Sequence, residues 1–431
     1  MNHQLKNMIE QFSNSHPNIS FKVDVLPTDK IEREQYINEL YALMESGKGP
    51  DIFLLPTSDL LVLDHPRMYT YLRVKPLFPD VNVAMRKGYF MDISDLYNAD
   101  TTLGKTSLNT VVMNAGIVDN KRYTLPLRYD APIIYIWGDS FNENGIDISR
   151  LDGGIISWME YVIEKGDPLL ACGGEYGSIQ VFSNINDYEK ERIVLTHNDI
   201  EQYLKLYQQI QTLIGTEYKH RTSAILSTYM SGNWTKFPVQ INMLGRSLNY
   251  VAISEVEQDP ISMYPLRTVD GDWVGVIKYY AAIGGNCNNS DLAYEFIRKF
   301  LLEESQWEKN RLKPETEQYP GLLVDSFPVR INGSVEPLWN NLKMQQIATD
   351  YSKSIENTTL TNKLKSLKLT DSSLPVLSKS LDAARFPPYL SQPISFYLSQ
   401  LNNYEGGNNA TNVNISELAK MIIDDLKCST Q

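Results

Sequence analysis

The sequence predicts an α/β protein divided into two domains. Three observations predict it. The chain has 431 residues, more than one hydrophobic core usually organises. Helical and strand periodicities alternate from the N-terminus onward. Several strand candidates are short, wholly apolar runs, the pattern of strands covered on both faces.

The elements follow in order. Leu5, Met8, Ile9 and Phe12 fall at i, i+3, i+4 and i+7, one face of an amphipathic helix. His16-Pro17-Asn18 ends it. Phe21, Val23 and Val25 alternate with Lys22 and Asp24, which predicts a strand with one wet face. Residues 31–45 return to helical spacing, and Ser46-Gly47-Lys48-Gly49-Pro50 breaks that helix. Asp51 to Leu55 then reads as a buried parallel strand. The helix–strand–helix–strand order is that of a sheet built with crossovers, but it starts inside a helix: no strand is written before Leu5.

Further along, Ile133 to Trp137 is a strong strand candidate approached by Tyr123-Thr124-Leu125-Pro126. Residues 198–214 predict a helix with Ile200, Tyr203, Leu204, Tyr207 and Ile210 inward. Asp291 to Leu302 predicts another, burying Leu292, Ala293, Phe296, Ile297 and Phe300. Leu418, Met421, Ile422 and Leu426 mark a last helix, and Asn402 to Asn414 a loop rich in Asn and Gly.

Composition excludes several classes. The net charge of −12 repels phosphate backbones, and basic residues occur singly or in pairs such as Lys121-Arg122, so nucleic acid is not an expected partner. Cys172, Cys287 and Cys428 are too few and too scattered for a disulfide framework or a zinc site. No apolar run reaches the roughly 18 residues of a membrane span, and the first residues have no apolar stretch of the kind a secretion signal carries.

Motifs for chemistry are lacking. The five histidines (His3, His16, His65, His197 and His220) include no pair with metal-site spacing on a helix. There is no nucleophile elbow, no phosphate-cradling loop and no dinucleotide fingerprint, so neither metal nor cofactor is expected. Asp130 stands out among the carboxylates because it directly precedes a buried strand, where open α/β sheets often place ligand contacts; a solvated loop carboxylate is its plainer reading. The 26 tyrosines are the stronger signal. Tyr129, Trp137, Tyr279 and Tyr280 lie at strand ends and connections, where a ring can stack on a sugar face while its polar tip hydrogen-bonds, or can simply fill a core.

Several segments together resemble the family 1 extracellular solute-binding proteins of ABC importers, the group that includes maltose-binding protein. Phe12, His16-Pro17-Asn18-Ile19 and the run to Val25 resemble its first helix and second strand. Ser46 to Ile52 resembles its small-Gly-x-x-Pro-Asp-apolar junction, and Gly88 to Ser94 a later step in the same lobe. Lys121 to Pro126 resembles its approach to the hinge; Tyr135 to Phe141, with Gly145-Ile146-Asp147, resembles the strand and helix beyond it. Ser157-Trp158, Asp291 to Trp307 and Phe327-Pro328-Val329 fall in the family's order over about 330 residues.

The resemblance implies a type II periplasmic-binding-protein fold: two α/β lobes joined by three crossovers, near Arg128–Ala131, Tyr280–Ile283 and Val324–Val329. Lobe one is expected at residues 1–130 plus 281–326, and lobe two at 131–280 plus 327–431. It implies a monomer that captures a sugar or oligosaccharide between closing lobes without chemistry of its own, for delivery to membrane permeases. It implies the extracellular face of the membrane, lipid-anchored or periplasmic. The ligand residues it implies are Thr57, Ser58, Tyr129, Asp130, Trp137, Arg246, Tyr279 and Tyr280. Arg246 replaces an aromatic and suits a carboxylate-bearing sugar. Gly138 stands where the family has Asn. The family's first strand, its signal and its lipid-attachment cysteine are absent from this sequence, so an incomplete N-terminus is expected. Two alternatives stay open: a carbohydrate-active enzyme using Asp130 and a second acid, and a ligand sensor for a membrane kinase.

Overall fold

The computed structural model describes residues 3–27, 29–57, 60–65, 70–74, 76–138, 146–172, 182, 186–187, 192–231, 239–302, 326–330, 358–374, 384–386 and 414–430. The chain divides into two compact units: Met1–Tyr129 with Ile277–Asn332, and Asp130–Val276 with Gly333–Gln431. It therefore passes between units three times.

Unit 1 opens with α1 (His3–Ser15) and α2 (Lys30–Glu45), followed by β1 (Ile52–Pro56), β2 (Leu60–His65) and β3 (Thr70–Val74). The short helices α3 (Val81–Arg86), α4 (Ser94–Ala99) and α5 (Thr110–Met113) lead to β4 (Ile117–Val118), β5 (Lys121–Arg122) and β6 (Thr124–Asp130). The chain later returns to this unit with β12 (Val276–Ile283), α10 (Ser290–Arg298) and β13 (Phe327–Pro328). Its main sheet runs β1-β12-β6-β13. The core beside it is aromatic: Phe53, Phe78, Phe90 and Tyr280 meet at centroid distances of 5.1–6.0 Å, mostly edge to face. Asp29 begins α2 as a side-chain cap, accepting from the Ile31 and Glu32 amides. Gly47 (φ 73°) follows its last turn, and Pro50 forbids continuation.

Unit 2 contains β7 (Pro132–Trp137), α6 (Gly154–Lys165), α7 (Pro168–Cys172), β8 (Asn186–Asp187), β9 (Arg192–Ile193), α8 (His197–Ser231), β10 (Val239–Met243), α9 (Ser247–Glu257) and β11 (Ile261–Pro265). Two helices near the C-terminus, α11 (Thr358–Ser366) and α12 (Ile415–Thr430), belong to it as well. β7 is the centre of a sheet ordered β10-β7-β11, antiparallel on both sides. Every residue of β7 is buried, as its unbroken apolar run requires. Ile134 and Ile136 pack with Trp158, Tyr203, Leu204 and Ile422 in one core. The inward face of α8 is the one the sequence predicts, from Ile200 to Ile210; Gly215, at φ 64° and ψ 168°, interrupts the helix beyond it.

Two expectations are corrected. Residues 21–25 form no strand: among the described residues they pair with nothing in a sheet, because alternation sets which side chains are wet and cannot supply a neighbouring strand. β1 is a strand, but its partner β12 runs antiparallel to it and only Phe53 of β1 is buried; an apolar run records neither the direction of a partner strand nor whether both faces are covered. The last helix is present as α12: Leu418, Ala419 and Ile422 are buried with Ile415 and Ile423 packed beside them, and Met421 is 48% exposed. The expected loop up to Asn414 lies, apart from Asn414, outside the described residues.

Candidate functional site

The residues singled out in the sequence fall into one group in each unit. In unit 1, β1 ends beside the start of β12. Pro56 faces Tyr279 in register. Thr57 continues the pairing: its amide donates to Lys278 O at 3.1 Å, and its hydroxyl donates to Ile277 O. Opposed residues share a face and successive ones alternate, so Thr57 stands with Lys278 on one side of the sheet, while Pro56 and Tyr279 stand on the other. Both Tyr279 and Lys278 are half-buried. Tyr280 points the opposite way into the core, 1% exposed, with its ring 6.0 Å from that of Phe90. Ser58 lies outside the described residues.

Tyr129 and Asp130 are consecutive in β6, so their side chains project to opposite faces. Tyr129 is 2% exposed, with its ring 6.0 Å from that of Phe327 on β13. Asp130 is fully buried. Its Oδ1 accepts from the Ala131 amide at 2.9 Å and from the Gly245 amide at 2.8 Å. Alongside, Leu244 N donates to Ala131 O at 2.8 Å. These bonds fix the turn Leu244–Arg246 that opens into α9. Charge-assisted bonds to backbone N–H groups are the strong class, so the carboxylate is set firmly in place, not solvated in a loop. The backbone of Arg246 belongs to this turn; its side chain lies outside the described residues.

Trp137 ends β7 opposite Ile261 and is 2% exposed. The next residue, Gly138, is required by close packing: a Cβ there would sit 2.6 Å from Pro260 Cγ and 2.9 Å from Pro260 O. Its amide donates to that same carbonyl at 2.6 Å. The structure thus seals Tyr129, Trp137 and Tyr280 in cores and leaves Tyr279, opposite the last residue of β1, half-buried.

The sequence reading missed the buried polar residues behind these groups. Tyr135 Oη donates to Gln240 Oε1 at 2.8 Å and its ring lies 4.6 Å from that of Tyr250, tilted by 40°, which ties β7 to β10 and α9. Arg330 donates to Leu103 O, Leu301 O and Ser107 Oγ, and Arg122 donates to Met113 O while its guanidinium lies 4.1 Å from the Tyr97 ring. A single arginine in an otherwise ordinary segment gives no sequence signal of burial; only its partners do. Among the described residues no three His, Cys, Asp or Glu side chains gather as metal ligands, and no helix is long and apolar enough to cross a membrane.

No family model matches the chain, and no curated protein matches it. Solved structures do. UgpB from Mycobacterium tuberculosis, in complex with glycerophosphocholine, is 12% identical with a TM-score of 0.50, over 99% of this chain and 94% of that one. The ABC substrate-binding protein Lmo0181 from Listeria monocytogenes, in complex with cycloalternan, is 11% identical with a TM-score of 0.49, over 99% and 95%. The maltose-bound MalE3 of T. maritima is 13% identical with a TM-score of 0.47, over 99% and 95%. The chain is an α/β protein with the fold of the type II periplasmic-binding proteins, and the structures it matches over nearly its full length include ABC solute-binding proteins.

Proposed function

We propose that this protein is the solute-binding subunit of an ABC importer, capturing a sugar or oligosaccharide outside the cytoplasmic membrane and passing it to membrane permeases. It acts as a monomer, periplasmic or lipid-anchored, and performs no chemistry. The observation that carries this reading is Tyr279. Among the four aromatic candidates it is the half-buried one, in β12 opposite the last residue of β1. A phenol ring so placed offers a flat apolar face to a sugar and a hydroxyl to its polar rim. Thr57 follows the last residue of the neighbouring strand and stands on the face of the sheet opposite Tyr279. In unit 2, Asp130 holds the turn Leu244–Arg246 through the Gly245 amide. Arg246 suits a ligand carrying a carboxylate or phosphate; the glycerophosphocholine bound by UgpB is a ligand of that charged kind. Binding shifts an existing equilibrium between conformers by its differential affinity for them.

A thermal-melt screen tests the proposal against neutral oligosaccharides, uronic acids, phosphorylated sugars and glycerophosphodiesters. A compound at about 100 times its Kd adds roughly 2.7 kcal/mol, which moves the melt by a few degrees. A hit recovered chemically unchanged supports the reading. A hit that is consumed replaces it with the enzyme that uses Asp130. Absence of any hit across all four classes overturns the carbohydrate assignment.

A further inference from the structure

Lys278 stands across from Thr57, the residue after β1, and next to Ile277, where the chain re-enters unit 1. It is half-buried. Among the described residues its ammonium takes no hydrogen bond and no ion pair. The other half-buried lysine and arginine side chains described all have partners. Lys105 donates to Asn98 O at 2.9 Å, and Arg267 donates to Gly271 O at 2.8 Å. Arg298 donates to Thr102 Oγ1 at 2.7 Å and lies 3.7 Å from Asp100. Lys299 lies 4.9 Å from the centre of the Phe12 ring. Taking a charge partly out of water is unfavourable unless another group replaces the water. The chain has 52 acidic residues against 40 basic ones, so an acceptor is easily supplied, yet among the described residues Lys278 is given none.

Thr57 is the second half of the arrangement. Its hydroxyl donates to Ile277 O, so its proton is committed and its oxygen is left to accept. Opposed residues of an antiparallel pair hold their Cβ atoms about 5 Å apart on one face. An acceptor oxygen therefore stands beside a cation with three donors, just past the last residue of β1. Tyr279, next along β12, stands on the other face, so its ring and the Lys278 ammonium flank the end of β1 from its two sides.

The two groups ask for different partners. A neutral sugar satisfies Thr57 and leaves the ammonium without a counter-charge. A bare anion satisfies Lys278 and leaves the Thr57 oxygen without a donor. We infer that Lys278 sets the charge of the bound solute: unit 1 takes a sugar or polyol that carries an acidic group, with the acid on the Lys278 ammonium and a neighbouring hydroxyl donating to Thr57 Oγ1. This inference rests on the solute-binding reading and narrows it.

The test is calorimetric titration of the full chain, of Lys278→Met and of Lys278→Arg with matched probes: galactose against galacturonic acid, glucose against glucose 6-phosphate, and glycerol against glycerol 3-phosphate, with maltotriose as a larger neutral sugar. In the parent, at least one acidic probe should bind roughly tenfold or more tighter than its neutral counterpart, and which pair does so tells carboxylate from phosphate. Lys278→Met, which keeps the length of the stem, should erase that preference, and Lys278→Arg should retain most of it. An acid preference that survives in Lys278→Met belongs to another cation and overturns the inference. A neutral probe that binds the parent and Lys278→Met alike, with no acidic probe binding more tightly, overturns the role of Lys278 and leaves the solute-binding reading standing. Binding by no probe at all counts against both. A second measurement needs no solute. Lys278→Met should leave Tm unchanged or raise it, because no partner is lost; a fall of several degrees would show that the ammonium serves the chain's own fold, and would overturn the inference.

Discussion

Asp130 Oδ1 accepts the Gly245 amide at 2.8 Å although 115 positions separate them in sequence. The bond joins the last residue of β6 to the turn before α9, and the carboxylate has no exposed surface. Its removal therefore acts on stability first. Asp130→Ala leaves two buried N–H groups without their acceptor and should cost about 2–4 kcal/mol in urea unfolding, while Asp130→Asn, which keeps an acceptor oxygen, should cost less than half as much. Equal losses would mean that the charge matters more than the bonds.

Gly154 and Gly166 flank α6, both at positive φ. A Cβ at Gly154 would lie 2.2 Å from Thr268 O, whereas one at Gly166 meets open space. Gly154→Ala should cost more than about 3 kcal/mol because backbone has to move. Gly166→Ala should cost about 1 kcal/mol, the strain of the left-handed conformation alone. Thermal unfolding of the two variants separates crowding from conformational strain.

Asp100 links α4 to α10. Burial pushes its carboxyl pKa up, but bonds from the Thr102 hydroxyl and amide, the Arg298 charge at 3.7 Å and the Leu103 amide outweigh that and hold it below its usual value. The unfolded chain therefore binds this proton more readily than the folded one. The stabilisation is fully present above the ordinary carboxylate pKa of 3.8 and is lost as pH falls through the lower folded value. Asp100→Asn should be less stable than the parent by about 1–2 kcal/mol at pH 7, and the gap should narrow below pH 4. A gap independent of pH would remove the ionised carboxylate from the account.

Tyr279 and Tyr280 make a matched pair for the binding proposal. Tyr279→Ala should weaken the ligand found in the melt screen by roughly tenfold, with a small change in Tm. Tyr280→Ala should instead lower stability by about 3–4 kcal/mol through the space left beside Phe90. Calorimetric titration of the two variants distinguishes ring stacking on ligand from core filling; an unchanged Kd for Tyr279→Ala would remove it from the site.

What was legible in the sequence was what one segment determines by itself. Ile133–Trp137 reads as a buried strand because each residue is apolar, and the Ile200–Ile210 face of α8 follows from spacing alone. Partners were not legible. Phe21–Val25 carries the alternation of a strand yet forms none, since pairing needs a neighbour at the right distance. β1 was placed as a parallel strand, and hydropathy does not record that β12 comes back against it. The same limit applies at the candidate site. Position near strand ends drew attention to Tyr129, Trp137, Tyr279 and Tyr280 alike; only the alternation of the paired strands shows that Tyr280 faces a core while Tyr279 does not.

The pairing of Ile52 with Ile283 also sets a timetable. At ordinary rates of translation, the residues that complete this sheet leave the ribosome roughly 10–45 s after those that begin it. Throughout that interval Phe53, Leu54 and Leu55 have no partner strand, because β12 emerges after β7, β10 and β11. Unit 1 is complete once Asn332 has emerged, whereas the core of unit 2 waits for Leu418, Ala419 and Ile422 near the end of the chain, so the early apolar segment is covered before the later half can close.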